Sequence, residues 1–131
     1  MDFTLSPEIE DYRHRIHAFV AEHIVPLEGD AKNFDTHEMI NLETLERLRA
    51  KAKQADLWAM QMPKQRGGQG IGLVGMAACY EEMARSPFGP VVFNCAAPDD
   101  GTMICLNKVL KEDQKDRWLQ PIVDGTVRSA F

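Results

Sequence analysis

The sequence is poor in the features that tie a chain to an oxidising compartment or to a nucleic acid. It has only three cysteines in 131 residues and no CxxC pair. An odd number of thiols fits a reducing, cytosol-like compartment better than a disulfide framework. Lys and Arg number 15 against 20 Asp and Glu, so no basic stripe is available for phosphates. We therefore expect a cytoplasmic protein that does not bind nucleic acid, with its thiols buried as small apolar side chains: Cys79, Cys95 and Cys105.

Long apolar runs are also missing. The longest uncharged stretch, residues 67–80, contains five glycines and is shorter than the roughly 20 apolar residues of a membrane-spanning helix. The N-terminus lacks the basic and apolar regions of a secretory signal. With 44% hydrophobic residues, the chain is long enough for one domain with its own core. No membrane interaction is expected.

Apolar residues recur at steps of three and four from Ile9 to Ile24, which is typical of an amphipathic helix. Ser6 is placed to cap this helix through its hydroxyl, and Pro7 suits the first helical position. Pro26 is expected to end it, because proline lacks the N–H that continues a helix.

Later helices are predicted from the same periodicity together with cap residues. Asn41 is a candidate cap, and Gly125 suits the left-handed conformation that often follows a helix end. Residues 126–131 alternate like a strand but have no partner strand. The sequence thus predicts an all-α fold, an orthogonal or up-down bundle of five or six helices with a short unpaired extended tail. The further helices are expected at 42–55, 73–84, 98–110 and 113–123.

Gly70, Gly72 and Gly75 match the pattern GxGxxG before a helix, which could indicate a phosphate-binding loop. A dinucleotide fingerprint also needs a buried strand before it, and here residues 60–62 are followed by Pro63. We favour turn glycines that lead into a packed helix.

Glu10, His14 and His17 share one helical face, a spacing that could hold a metal ion. No cysteine or further histidine is placed to complete the site, so a solvated surface is the preferred interpretation and no metal is expected. Glu81 and Glu82 are adjacent and point about 100° apart in a helix, so they do not form an acid/base pair.

The uncharged run Val91–Ala97 has Asn94 as its single polar side chain. Such a segment is either enclosed in the core or lines an apolar pocket with one polar anchor. Burial is the default for continuous apolar residues.

A series of short motifs then points to a family. They are Val25-Pro26-Leu27-Glu28, Ala55-Asp56-Leu57-Trp58, Met62-Pro63, Gly67-Gly68-Gln69-Gly70, residues 80–86, residues 112–121 and Ser129-Ala130-Phe131. Their order resembles that of the N-terminal α-helical domain of the acyl-CoA dehydrogenase family. Residues 93–103 resemble the subgroup of family members 10 and 11.

The resemblance implies α,β-desaturation of acyl-CoA thioesters. In the family a glutamate base removes the α-proton, FAD accepts a hydride, and an electron-transfer flavoprotein takes the electrons. It further implies that residues 1–126 form the N-terminal helical domain and that residues 127–131 begin a β-domain. The flavin contacts and the base belong to other domains, so we expect this segment alone to bind no FAD, to contain no catalytic residue and to be inactive.

The resemblance implies that this segment contributes to one part of the family's substrate site, the pocket for the acyl tail. Its floor and wall would come from Val92, Phe93, Asn94, Ala97 and Gly101. Ala97 and Gly101 are small, which favours a long or branched acyl chain.

Two alternatives remain open at this point. One is a stand-alone helical module that binds an acyl group or a partner helix without redox activity. The other is the metal site at Glu10, His14 and His17. We also expect a homo-oligomer, and association of the isolated segment, because without a β-domain the apolar edges of regions 91–97 and 127–131 would be exposed.

Overall fold

The computed structural model describes residues 4–36 and 39–130, and this part of the chain is helical. It contains seven α-helices and no strand, so the predicted all-α class is confirmed. None of the helices in these two ranges is both long enough and apolar enough to cross a bilayer. The helices are α1 (Pro7–Phe19), α2 (Leu42–Gln54), α3 (Leu73–Met83), α4 (Gly89–Val92), α5 (Asp99–Val109), α6 (Glu112–Trp118) and α7 (Gln120–Val123).

Helix α1 begins as the sequence predicts. The Ser6 hydroxyl accepts a hydrogen bond from the N–H of Ile9 (3.4 Å). The α-helix ends at Phe19, and the chain continues through a π-helical turn at Val20–Ile24 and a 3₁₀ turn at Val25–Leu27. Proline therefore does not end this helix abruptly, because a missing N–H is tolerated in the first turn of the 3₁₀ segment.

Helix α2 also begins at its predicted cap. The Asn41 side-chain oxygen accepts from the N–H of Thr44 (2.9 Å), and its amide group donates to the Lys32 carbonyl. Helix α2 then buries its apolar face together with one charged side chain, Arg49, whose Nε donates to the Val91 carbonyl. The buried apolar residues are Leu45, Leu48 and Ala52.

The predicted last helix is two helices. Helix α6 ends at Trp118, and Leu119, with φ −93° and ψ −49°, separates it from α7. Helix α7 starts again with Pro121 in its first turn. Proline cannot supply the N–H that a continuous helix needs at this position. Gly125 follows at φ +75°, in the left-handed conformation that the sequence predicts.

The core lies between α1, α2, α3 and the buried connector at residues 57–62. Helix α1 packs along α3, and α2 packs on α4. The N–H of Ala59 donates to the carbonyl of Phe93 (2.9 Å), which ties the connector to the uncharged run. Fully buried large side chains include Ile16, Ile24, Leu57, Met60, Met62, Met83, Phe88, Phe93, Met103 and Leu119.

The prediction for the cysteines is right for two of three. Cys79 and Cys95 are buried, whereas Cys105 is exposed. Cys105 shares a face of α5 with the exposed Val109, which we call the outer face. No element of the described part of the chain covers that face, so the small apolar side chain of Cys105 stays in contact with solvent.

The C-terminal tail, residues 126–130, has no strand partner in the described ranges, as predicted. It is not free, however. The N–H groups of Thr126 and Val127 donate to the Pro121 carbonyl (3.0 and 3.3 Å). The Asp99 side chain of α5 accepts hydrogen bonds from Arg128 Nε and from the N–H of Ser129. Phe131, part of the predicted tail, lies outside the described residues.

Candidate functional site

The uncharged run folds into the core rather than along its edge. Val92 and Phe93 have no exposed surface, and Cys95 is 3% exposed. The Phe93 ring packs edge-on against Phe19, with ring centroids 5.1 Å apart. Burial, the default for such a run, therefore holds for its central residues, which α1 and α7 cover, whereas Ala97 at its end is exposed.

Asn94 is the polar anchor of this run, and its partners are backbone groups of α7. Its amide nitrogen donates to the carbonyls of Ile122 (3.0 Å) and Val123 (3.2 Å). The last carbonyls of a helix have no intrahelical partner, so Asn94 satisfies two of them. Trp58 Nε1 donates to the same Val123 oxygen (2.7 Å). The backbone φ of Asn94 is +57°, a conformation that asparagine adopts more readily than most residues.

The other two residues of the expected acyl wall lie at the surface. Ala97 is exposed just before α5, and Gly101 is exposed in its first turns. A Cβ atom at Gly101 would have no heavy atom within 4 Å. The structure thus separates the five residues: Val92, Phe93 and Asn94 lie inside the domain, and Ala97 and Gly101 face open space.

A groove of about 310 Å³ lies between α3 and α5. Apolar side chains form part of the lining of this groove, and Gln61, Tyr80 and Asp100 contribute polar groups to it. Sequence analysis missed this groove, because its walls come from segments far apart in the chain. Its lining is Gln61, Ile71, Leu73, Met76, Tyr80, Asp100, Ile104 and Lys108.

Within residues 4–36 and 39–130, two polar atoms buried in this groove make no hydrogen bond of ordinary geometry: the Tyr80 hydroxyl and Asp100 Oδ1. Burial raises the pKa of Tyr80, and the nearby Asp100 carboxyl adds to the effect. Burial also raises the pKa of Asp100, outweighing the opposing influence of Tyr80 and Gln61. Polar atoms buried in this way are normally satisfied by water or by a ligand.

The glycine-rich loop at residues 67–72 turns its N–H groups inward. The N–H of Gly70 donates to the Met62 carbonyl (2.8 Å), and that of Ile71 donates to the Met60 carbonyl (3.0 Å). N–H groups used in this way cannot cradle a pyrophosphate. The loop therefore does not fit the phosphates of FAD or of another dinucleotide, and the interpretation as turn glycines leading into α3 is supported.

The three residues of the possible metal site do not act together. His17 Nδ1 lies 2.9 Å from Glu82 Oε2 on α3, whereas His14 lies 3.9 Å from Glu10. Glu82 is buried and also accepts a hydrogen bond from Arg85 Nε. Residues 4–36 and 39–130 bring together no group of three or more His, Cys, Asp or Glu side chains that could hold a metal ion.

Comparison with known families identifies the family to which this helical domain belongs. The sequence model of the acyl-CoA dehydrogenase N-terminal domain matches residues 6–126. This chain belongs to the acyl-CoA dehydrogenase family. The resemblance seen in the sequence motifs is therefore confirmed, and the helices described above are those of an acyl-CoA dehydrogenase N-terminal domain.

Individual relatives agree with this assignment. The chain is 33% identical to "Probable acyl-CoA dehydrogenase FadE2" of Mycobacterium tuberculosis over its whole length, and it covers 33% of that protein. It is 31% identical to human acyl-CoA dehydrogenase family member 11, with 89% of this chain and 15% of that protein aligned. A solved structure of a protein named as an acyl-CoA dehydrogenase from Mycobacterium abscessus superposes with a TM-score of 0.81 at 31% identity, covering 95% of this chain and 33% of that one.

The chain thus spans a third or less of the length of these relatives. Within an acyl-CoA dehydrogenase, the N-terminal domain is one part of the molecule. The exposed outer face of α5, with Cys105 and Val109, is a surface that the described residues of this domain do not cover.

Proposed function

We propose that this chain is the N-terminal part of an FAD-dependent acyl-CoA dehydrogenase that desaturates acyl-CoA thioesters in fatty acid metabolism. Residues 1–126 are its N-terminal helical domain, and residues 127–131 lead into a β-domain. The family match over residues 6–126 supports this proposal. So does the coverage of only 33% of the Mycobacterium tuberculosis relative.

Within that enzyme, this domain forms a wall of the acyl pocket. Ala97 and Gly101 form the exposed surface of this wall. The buried residues Val92, Phe93 and Asn94 support that surface from the interior of the domain. The observation that carries this assignment is the open space at Gly101, where an added Cβ meets no other atom within 4 Å. Small residues at an open surface leave room for a long or branched acyl chain.

The redox chemistry lies outside this segment. FAD supplies the hydride acceptor, and an electron-transfer flavoprotein takes the electrons onward. The inward-turned N–H groups of residues 67–72 leave no phosphate cradle there, so no step of the flavin chemistry is assigned to this chain. We expect the isolated segment to bind no flavin and to oxidise no acyl-CoA, whereas the full-length protein does both.

The test is the acyl chain-length profile of the full-length enzyme. Gly101→Leu and Ala97→Glu should reduce kcat/KM for the longest acyl-CoA substrates at least tenfold, about 1.4 kcal/mol, and spare short ones. Gly29→Leu is the matched control, because Gly29 is also exposed with no heavy atom near a Cβ and lies in a different element, after the 3₁₀ turn Val25–Leu27. An unchanged preference in both wall variants would contradict the pocket assignment.

The groove between α3 and α5 supports a second candidate, a stand-alone helical module that binds an acyl group or a partner helix. Its volume of about 310 Å³ falls within the range of small-molecule pockets. Dye-linked oxidation of acyl-CoA by the full-length protein separates the two candidates. Activity supports the dehydrogenase, and fatty-acyl binding without any activity supports the module.

We further propose a cytoplasmic homo-oligomer. The free thiols Cys79, Cys95 and Cys105 fit a reducing compartment. Several apolar side chains are more than half exposed and would be covered by association, among them Leu73, Trp118 and Val127. Gel filtration at several concentrations measures the oligomeric state.

A further inference from the structure

A buried carboxylate at the start of α5 holds the C-terminal tail. Asp99 is 3% exposed. Its Oδ1 accepts hydrogen bonds from the N–H (2.6 Å) and the hydroxyl (2.8 Å) of Ser129, and its Oδ2 accepts from Arg128 Nε (3.0 Å). The Ser129 hydroxyl also lies 3.1 Å from Thr102 Oγ1. One carboxylate thus binds two consecutive residues of the tail.

These contacts require an ionised carboxylate. Burial raises the pKa of Asp99, but the hydrogen bonds from Ser129 and Arg128 outweigh it and leave the pKa below its usual value. Both oxygens act as acceptors. An asparagine could accept at one atom only, and its NH₂ group would face a donor of the tail.

The remaining attachment of the tail is weaker. Thr126 and Val127 donate to a single carbonyl of Pro121. Val127, Arg128 and Ala130 are exposed, so little packing holds this segment. The place where the chain leaves the domain therefore depends mainly on the contacts with Asp99.

The same carboxylate lies within the proposed acyl wall. Ala97 precedes Asp99 by two residues, and Gly101 follows it by two. A displacement of the tail would therefore shift the start of α5, where the two wall residues Ala97 and Gly101 lie.

We propose that Asp99 is a positioning residue that couples the placement of the acyl wall to the segment leaving the domain at residues 128–130. The inference rests on the proposed function, since it assumes that Ala97 and Gly101 contact the acyl chain. Asp99 itself touches no reacting group. It fixes the position of the wall residues Ala97 and Gly101 relative to residues 128–130.

The experiment uses the full-length protein with Asp99→Asn, Ser129→Ala and Ser129→Thr. Hydrogen–deuterium exchange of the peptide containing residues 126–130 measures the attachment of the tail, and steady-state kinetics with acyl-CoA substrates of several lengths measures the wall. We expect Asp99→Asn to speed exchange of this peptide at least tenfold. It should raise KM for long acyl-CoA about tenfold, with kcat changed less than twofold.

Ser129→Ala is the milder variant and is useful if Asp99→Asn does not fold. It removes one hydroxyl but keeps the N–H bond, so its effect should have the same pattern and be smaller. Ser129→Thr keeps both donors and should restore wild-type values. Asp113→Asn is the control, because Asp113 is an exposed carboxylate in the first turn of α6.

Three results overturn the inference. The first is unchanged exchange of the tail peptide in both Asp99→Asn and Ser129→Ala. The second is faster exchange with unaltered KM and chain-length preference, which would leave Asp99 as a structural contact only. The third is a wild-type protein that oxidises no acyl-CoA. That result overturns the proposed function itself and is recognised by the wild-type assay, before any variant is compared.

Discussion

The side-chain amide of Asn94 donates a hydrogen bond to the carbonyl oxygen of Val123, 3.2 Å away and 29 positions later in the chain. The same oxygen accepts Trp58 Nε1, so the end of α7, the buried connector and the uncharged run meet at one atom. This contact makes Asn94 a structural residue behind the proposed acyl wall.

Asn94→Ala should destabilise the domain by about 2–3 kcal/mol. The variant removes the two hydrogen bonds of the Asn94 amide, leaving the Ile122 carbonyl with the Gly125 N–H and the Val123 carbonyl with Trp58 Nε1. It also places alanine in a left-handed backbone conformation. Urea unfolding followed by circular dichroism measures the change. Asn107→Ala, at a partly exposed position on α5, is the control and should change stability by less than about 0.5 kcal/mol. Equal effects of the two substitutions would refute this account of Asn94.

Gly125→Ala tests the tight approach of the backbone to Trp58. A Cβ at this position would lie 2.7 Å from Trp58 Cζ2, and its φ is +75°. Strain and overpacking together should cost about 3 kcal/mol. Gly70→Ala has a similar φ of +69° with nothing near the Cβ, so it should cost only the strain, about 1 kcal/mol. Thermal unfolding of the two variants separates the clash from the strain.

The pair of His17 and Glu82 predicts a loss of stability in acid. Burial raises the pKa of Glu82, but hydrogen bonds from His17 and Arg85 outweigh it, so the folded-state pKa is lowered from the ordinary carboxyl value of 4.5. A lowered pKa stabilises the folded state above the unfolded-state value, and this contribution disappears as pH falls through the folded-state pKa.

The Tm of the wild type should therefore fall as pH decreases below about 4.5. Glu82→Gln should reduce this dependence, because the amide cannot titrate. The exposed neighbour provides the control: Glu81→Gln should keep the wild-type profile. An identical slope in all three proteins would argue against the contribution of Glu82.

Thiol accessibility gives a further prediction. Cys105 is exposed, whereas Cys79 and Cys95 are buried, and burial raises the pKa of Cys79 to about 11. The thiolate is the reactive form. N-ethylmaleimide at neutral pH should add once to the native domain and three times after unfolding, as counted by mass spectrometry. Cys105→Ser should take up no label while folded, and rapid native labelling at more than one site would contradict the described packing.

Local features of the sequence were enough to place most helix starts and one helix end. Ser6 and Asn41 cap the helices that follow because a cap bond joins residues only three positions apart. Gly125 stands where a left-handed residue is required. The order of short motifs along the chain also predicted the family, since each motif is read locally.

Tertiary structure decided what the polar and small side chains do. Asn94 and Val123 are 29 positions apart, and His17 and Glu82 are 65 apart, so no local pattern pairs them. Cys105 is exposed because none of the described elements covers the outer face of α5. A hydrogen bond between distant residues depends on how whole helices pack, whereas a cap or a turn depends only on its immediate neighbours.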